Sequence, residues 1–324
     1  MRAVRVPIHS STVAMITVMA MFFGLSGCIS RPDLSNRAEE IAEVIAGLPG
    51  VEEVDDYYQN GFTSGQSLTY KVKMEATATD AAIANVASTV DSEVGDQFDE
   101  YDRELTLSTA DILMVLHGEL AIDELRQRLL RMQSLNTSLT SERLTWKEND
   151  GSDRENELEI EEASQNPFSV LSTVRDQFGS EQMRVRFGSA HMLSWDVTFP
   201  YWLQAQNRLA SALRPLPQEM SSIEIRHDHV TEINLHLDHP VNAAIRLMAI
   251  IDRVSSGTSA PWMFRWSAGQ PPAGQGNLAT GGTVSVGACD YYEDGEREKD
   301  PAGHMTQDAI DVQNQLRAKY DTCG

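Results

Sequence analysis

The chain has 324 residues, with 48 acidic against 26 basic side chains and a net charge of −22. Such a surface repels the phosphates of nucleic acid and of anionic lipid headgroups, so neither is expected as a ligand. The basic residues are 21 Arg and only 5 Lys, a bias read as coding composition and not as function.

In chain order, Arg2 and Arg5 come first, then an apolar stretch of 13 residues from Val13 to Leu25, then Leu25-Ser26-Gly27-Cys28. A charged start, an apolar core of this length and small residues before the cut define a secretory signal. At about 1.5 Å per residue the stretch spans roughly 20 Å, short of a bilayer core of about 30 Å. The tetrad resembles the lipobox of bacterial lipoproteins. That resemblance implies that residues 1–27 are removed as a signal peptide. It also implies that Cys28 takes a diacylglyceryl thioether and becomes the mature N-terminus. Residues 28–33 would then tether the body to the extracytoplasmic face of a cell membrane, with acyl chains as the membrane contact. Ile29 is not the Asp that resembles an inner-membrane retention signal. No later segment approaches 18 apolar residues. Without Arg2 and Arg5 the net charge becomes −24 over the 297 residues from Cys28, long enough for two or three domains.

Leu34, Ala38, Ile41, Ile45 and Leu48 recur at helical spacing. Val51 to Tyr58 reads as a strand, and Leu68, Tyr70, Val72 and Met74 alternate as a second. Thr79 or Asp80 caps a helix carrying Ile83, Val86, Val90 and Val94, and Arg103 to Ser108 is a strand. Next come a strand at Ile112 to Leu116, a helix lined by Ile122, Leu125, Leu129 and Met132, and strands at Arg143 to Lys147 and Glu157 to Glu161. Asn166 caps a helix opened by Pro167, a residue suited to the first helical turn, and Met183 to Phe187 is a strand. A third stretch reads strand Leu193 to Phe199, a helix from Pro200 through Leu213, a hairpin of Ile223 to His227 and Glu232 to Leu237, a helix opened by Asp238 and Pro240, and strand Trp262 to Trp266. Ser267 to Gly282 is rich in Gly, Pro and Ala and reads as a loop. A strand at Thr283 to Gly287 and a helix from Met305 to Tyr320 close the chain.

These elements repeat. Asp96-Gln97-Phe98 recurs as Asp176-Gln177-Phe178, and at the same offset of about 80 residues Leu105 meets Val185, Leu107 meets Phe187 and Leu113 meets Leu193. Strand-helix-strand-strand-helix-strand is the split βαβ order of ferredoxin-like units. The expected fold class is therefore α+β: tandem ferredoxin-like units with antiparallel sheets and helices on one face. The expected units are 34–109 (αββαβ), 110–189, 190–267, and 268–324 as a loop plus a surplus strand and helix. That strand is free to complete the first unit's sheet, and a phase opening at Gln66 predicts the same elements. The passage Leu48-Pro49-Gly50-Val51-x-x-Val54 is similar to the join in small ferredoxin-like and BON-type domains.

Cys289 and Cys323 are an even pair in an oxidising compartment, so a disulfide is expected. If the last helix packed straight back along the last strand, its end would lie far from Cys289. Residues 290–303 must therefore cross the domain before that helix begins.

Catalytic spacings are missing. Gly61-Phe62-Thr63-Ser64-Gly65 fails the nucleophile-elbow spacing, and Ser-x-x-Lys, His-Glu-x-x-His, phosphate-loop and dinucleotide-turn strings do not occur. Loops around Gly151 and Gly295 lack the ligand spacing of a calcium hand. His227, His229 and His236 are weak metal candidates. The first two continue the face of Ile223 and Ile225, and the third falls on the opposite face. Trp262, Phe264 and Trp266 share one strand face, which would be a binding patch if exposed. No cofactor is expected. The expectation is a non-enzymatic, lipid-anchored binding or scaffolding module with an envelope protein as partner. The alternatives are a solute-binding lipoprotein of a transporter, or an envelope hydrolase whose site only the fold assembles.

Overall fold

A computed structural model describes residues 32–323 except 62, 64, 149–154, 164, 189–192, 215–219, 239–240, 271–277 and 292–299. The signal stretch, Cys28 and most of the tether lie outside the described residues, as do the middles of the Glu148–Asn156 and Ser267–Gly282 loops.

The periodicities become elements nearly where they were read. Strands are β1 (Val51–Gly61), β2 (Gly65–Met74), β3 (Asp102–Ser108), β4 (Ile112–His117), β5 (Arg143–Lys147), β6 (Asn156–Glu161), β7 (Met183–Gly188), β8 (Ser194–Phe199), β9 (Met220–Arg226), β10 (His229–Leu237), β11 (Trp262–Ala268) and β12 (Gly281–Val286). Helices are α1 (Ser35–Ala46), α2 (Asp80–Val94), α3 (Ile122–Leu139), α4 (Pro167–Phe178), α5 (Leu203–Ala212), α6 (Ala243–Ser255) and α7 (Gln307–Tyr320), with single turns at Gly95–Phe98 and Pro301–His304. Thr79 caps α2 by accepting from Ala82 N, and Asn166 caps α4 by accepting from Phe168 N. The third stretch's first helix starts at Leu203, later than the Pro200 expected.

The strands form one 12-stranded mixed sheet in strict chain order. Each hairpin pair, β1–β2 through β11–β12, is antiparallel. Each pair joined through a helix, β2–β3 through β10–β11, is parallel and directly adjacent. This corrects two expectations. A split βαβ unit leaves a gap between helix-linked strands for a third strand, whereas here Leu68 pairs with Arg103 and Leu158 with Val185. The sheet is also mixed, not antiparallel. The boundaries at 109/110 and 189/190 fall in the β3–β4 and β7–β8 hairpins, so the sheet runs through both. The surplus strand β12 pairs with β11 at the edge opposite β1 and does not complete the first unit. The 80-residue offset spans two ββα units, and Phe98 and Phe178 are buried at equivalent helix ends.

The helices pack in a row on one face, α1 on α2, α2 on α3, and so on to α6 on α7. Strand direction reverses between successive crossovers while the helices stay on that face. Successive crossovers are therefore of opposite hand, against the usual right-handed preference. The residues explain why the other face takes no helix. Inward positions such as Leu144, Trp146, Leu158, Ile160, Val185, Trp195 and Val197 are fully or nearly fully buried. Outward positions carry a charge ladder: Lys147 bonds Glu157 (3.1 Å) and Glu159 (2.9 Å), Arg186 bonds both glutamates, Arg184 and Arg226 bond Asp196, and Arg265 bonds Glu232 (3.0 Å). Each half-exposed pair contributes little stability, but burying the row under a helix would strip its water.

The two sheet edges differ. Among the described residues nothing pairs with the outer edge of β1, which carries Glu52, Glu53, Asp55 and Asp56, charges that discourage edge-to-edge association. The β12 edge is closed by side chains. Gln313 Oε1 accepts from Thr283 N (3.0 Å), Tyr291 Oη accepts from Ser285 N (3.1 Å), and Arg317 Nε donates to Thr283 O (3.1 Å).

Candidate functional site

The C-terminal unit holds a groove between its two helices. Ala279 N donates to His304 O (2.8 Å) and Thr306 N to Ala279 O (3.0 Å), so α7 begins beside the start of β12. Gly287 N donates to Tyr320 O and Thr322 N to Ala288 O, both at 2.9 Å, so it ends beside the strand's end. The described residues on either side of the 290–303 segment, Ala288 and His304, therefore lie near opposite ends of β12, as the disulfide required. Cys289 and Cys323 are bonded with Cα atoms 5.0 Å apart.

As a result α7 runs in the same direction as α6. At their C-terminal ends the two helices are tied together. Tyr320 Oη donates to Met248 O (3.0 Å) and Lys319 Nζ lies 2.9 Å from Asp252 Oδ2. That contact holds the Asp252 carboxyl below its usual pKa, through the Lys319 hydrogen bond first. At their N-terminal ends they leave a groove of about 620 Å³. Its floor is Trp266 and Ala268 of β11; Val241 and Ile245 form one wall, Ala309 and Val312 the other. Asp308 and Asp311 stand on the rim, and Gln270 and Thr280 lie at the mouth.

The local sequence explains both walls. Helix α6 buries Ala244, Leu247, Ile251 and Val254 on the sheet. Half of its remaining positions are also apolar, so Ile245 stands 69% exposed, and Val241 in the turn before the helix stands 70% exposed. A helix needs one apolar stripe to sit on a sheet; α6 has surplus. Helix α7 buries Ala309, Gln313 and Leu316 and turns Asp308 and Asp311 outward. Asp308 in its first turn suits the helix dipole. Asp311 accepts from Gln307 Nε2 (2.8 Å), and among the described residues no basic side chain pairs with either carboxylate.

The sequence-predicted site residues fare unequally. Cys28 lies outside the described residues. Trp262, Phe264 and Trp266 are 3%, 0% and 5% exposed, so they are core and not an exposed binding patch: that edge of the sheet faces the helices. Of the three only Trp266 touches the groove, as floor. The histidines do not converge. His227 and Asp228 both have positive φ and make the two-residue turn of the β9–β10 hairpin. His229 pairs with Arg226, whose side chain bonds Asp196 on the outer face, so the expected share of Ile223's face is not kept. His229 bonds Ser259 Oγ and His236 bonds Ser267 Oγ, both at 2.8 Å. Those two histidines are seven positions apart along β10, roughly 23 Å at 3.3 Å per residue. Among the described residues no group of three metal-capable side chains assembles.

The sequence marks Val241, Ile245 and Val312 only as apolar helix-face residues, not as a site, and leaves Asp308 and Asp311 unmarked; in the structure Val241 and Ile245 stand off the buried stripe of α6. The available signal was α6 itself, apolar beyond one stripe. No protein-family model matches the chain, and no curated protein or solved structure matches it either.

Proposed function

We propose that this is a lipid-anchored, extracytoplasmic envelope protein that holds a binding groove away from its membrane. The observation that carries the reading is the chain-ordered sheet. Its first strand follows the Cys28 tether by some twenty residues, and its next-to-last strand, β11, floors the groove. At about 4.8 Å per strand the two edges stand roughly 50 Å apart along the sheet. No described helix is long and apolar enough to cross a membrane, which fits an acyl anchor at one end. The groove is a binding surface and not a reacting centre in this reading. Its described lining offers apolar side chains, uncharged polar groups of Asn242, Gln270, Thr280, Thr306 and Gln315, and two carboxylates, with no histidine, cysteine or lysine beside them.

Two measurements test it. Cys28→Ala should leave the protein unprocessed or released from membranes, and unchanged processing and retention would sink the anchor. For the spacing, single dyes placed on Glu52 and on Gln315 of the lipidated protein are read against a quencher in the bilayer. Strong quenching at position 52 and weak quenching at 315 is the expected pair; the reverse order would reject the stand-off arrangement.

A further inference from the structure

Resting on the groove as the binding site, we propose that its occupant is an amphipathic helix of a partner protein with basic residues beside its apolar stripe. Four observations select this chemistry. The groove's apolar wall is an exposed ridge, made by Val241 in the turn before α6 and by Ile245 in its first turn, each about 70% exposed. A small molecule seated on Trp266 and Ala268 would leave that ridge in water, whereas sites for small ligands bury most of the ligand between their walls. A helix laid along the groove covers floor and ridge together, with anchors at spacings of three and four. An extended peptide is disfavoured at this end. Strand addition needs free edge groups, and Thr283 N, Ser285 N and Thr283 O are already held by Gln313, Tyr291 and Arg317. The partner must therefore satisfy its own backbone, as a helix does. Charge sets the flank: Asp308 and Asp311 lie one turn apart on the rim without a basic partner among the described residues, and residues 267–282 contain no charged side chain to neutralise them.

The probe is a fluorescent 18-residue synthetic helix with Leu at helical spacing and Lys on both flanks of the stripe. It is titrated by anisotropy against the full lipidated chain in zwitterionic nanodiscs, with empty nanodiscs subtracted. Two control peptides are the same composition scrambled and the same stripe flanked by Glu. The expected result is saturable binding of the Lys helix alone. Binding should weaken at least tenfold in Ile245→Ser and in Val241→Ser. In Asp308→Asn/Asp311→Asn it should weaken with loss of its salt dependence. All these positions are solvent-facing, so melting temperatures should match wild type. Equal binding of the scrambled or Glu peptide, or binding indifferent to Ile245→Ser, would overturn the proposal. Dodecylamine binding that is sensitive to Ile245→Ser, without helix binding, would also overturn it while leaving the groove a binding site. If neither probe bound, the groove assignment itself would fall, although the quenching result on the anchor would stand.

Discussion

Replacing Cys289 and Cys323 together by Ser removes the bond that closes a 34-residue separation between the end of β12 and the end of α7. Loop-closure entropy assigns such a link about 4 kcal/mol, before any strain. The Cα spacing of 5.0 Å lies within the range a bridge accepts. The consequence should be local. In this sheet each ββα unit touches chiefly its neighbours along the row, so stability is close to a sum of unit and interface contributions. Without the bridge, Thr322 and Tyr320 still hold Ala288 and Gly287 by single backbone bonds. The long connecting segment nevertheless regains its freedom whenever α7 opens. At about 1.4 kcal/mol per tenfold, amide exchange in β12 and α7 should accelerate by up to about a thousandfold, while β5 to β7 stay unchanged. Hydrogen exchange read by mass spectrometry on the oxidised protein and the double variant, at one pH, measures this. Unchanged exchange at Thr283 and Ser285 would show that Gln313 and Tyr291 hold the edge without the bridge. Equal acceleration in β5 to β7 would show that the sheet opens as one body, contrary to the neighbour-only argument.

Four further outcomes follow from other parts of the fold. Burial raises the Asp196 carboxyl, but hydrogen bonds and charge from Arg184 and Arg226 outweigh it and hold its pKa below the ordinary value. A depressed folded pKa stabilises above the unfolded value near 3.9 and is lost as pH falls through the folded one. Asp196→Asn should therefore be less stable than wild type at pH 7 in urea melts, with the gap closing below about pH 4; a constant gap would contradict the ladder's role. Trp146, fully buried and stacked on Phe178 at 5.8 Å, should cost about 3–5 kcal/mol as Ala. Trp202→Ser, at 59% exposure, should change stability by about 0.5 kcal/mol or less, and a larger loss would mean that its ring is covered in solution. Asn166→Ala removes the α4 cap and should cost about 1 kcal/mol by the same urea assay.

Local structure was legible in the sequence because its signals are local. Alternation of Leu68, Tyr70, Val72 and Met74 needs only a pleat and one dry face, and Thr79 and Asn166 announce helix starts through their own side chains. One long-range feature was legible too, because covalent geometry demanded it. A Cys289–Cys323 bond is compatible with the last helix only if that helix begins at the far end of β12 from Cys289, and it does.

Strand order was not legible. The string strand-helix-strand-strand-helix-strand suits a split ferredoxin-like unit and a chain-ordered sheet equally, since both use the same apolar faces. Which strand lies beside β2 depends on how all twelve pack, and a periodicity of two carries no neighbour's name. The Trp262, Phe264 and Trp266 face shows the same limit. Alternation proves that these three share a side, but only the row of helices decided that this side is the core. The groove lies further still from sequence. Ile245 lies in a helix, and Val241 just before it, whose apolar residues looked like ordinary core. They are left in water because α7 meets α6 at one end only, where Tyr320 and Lys319 tie it to Met248 and Asp252.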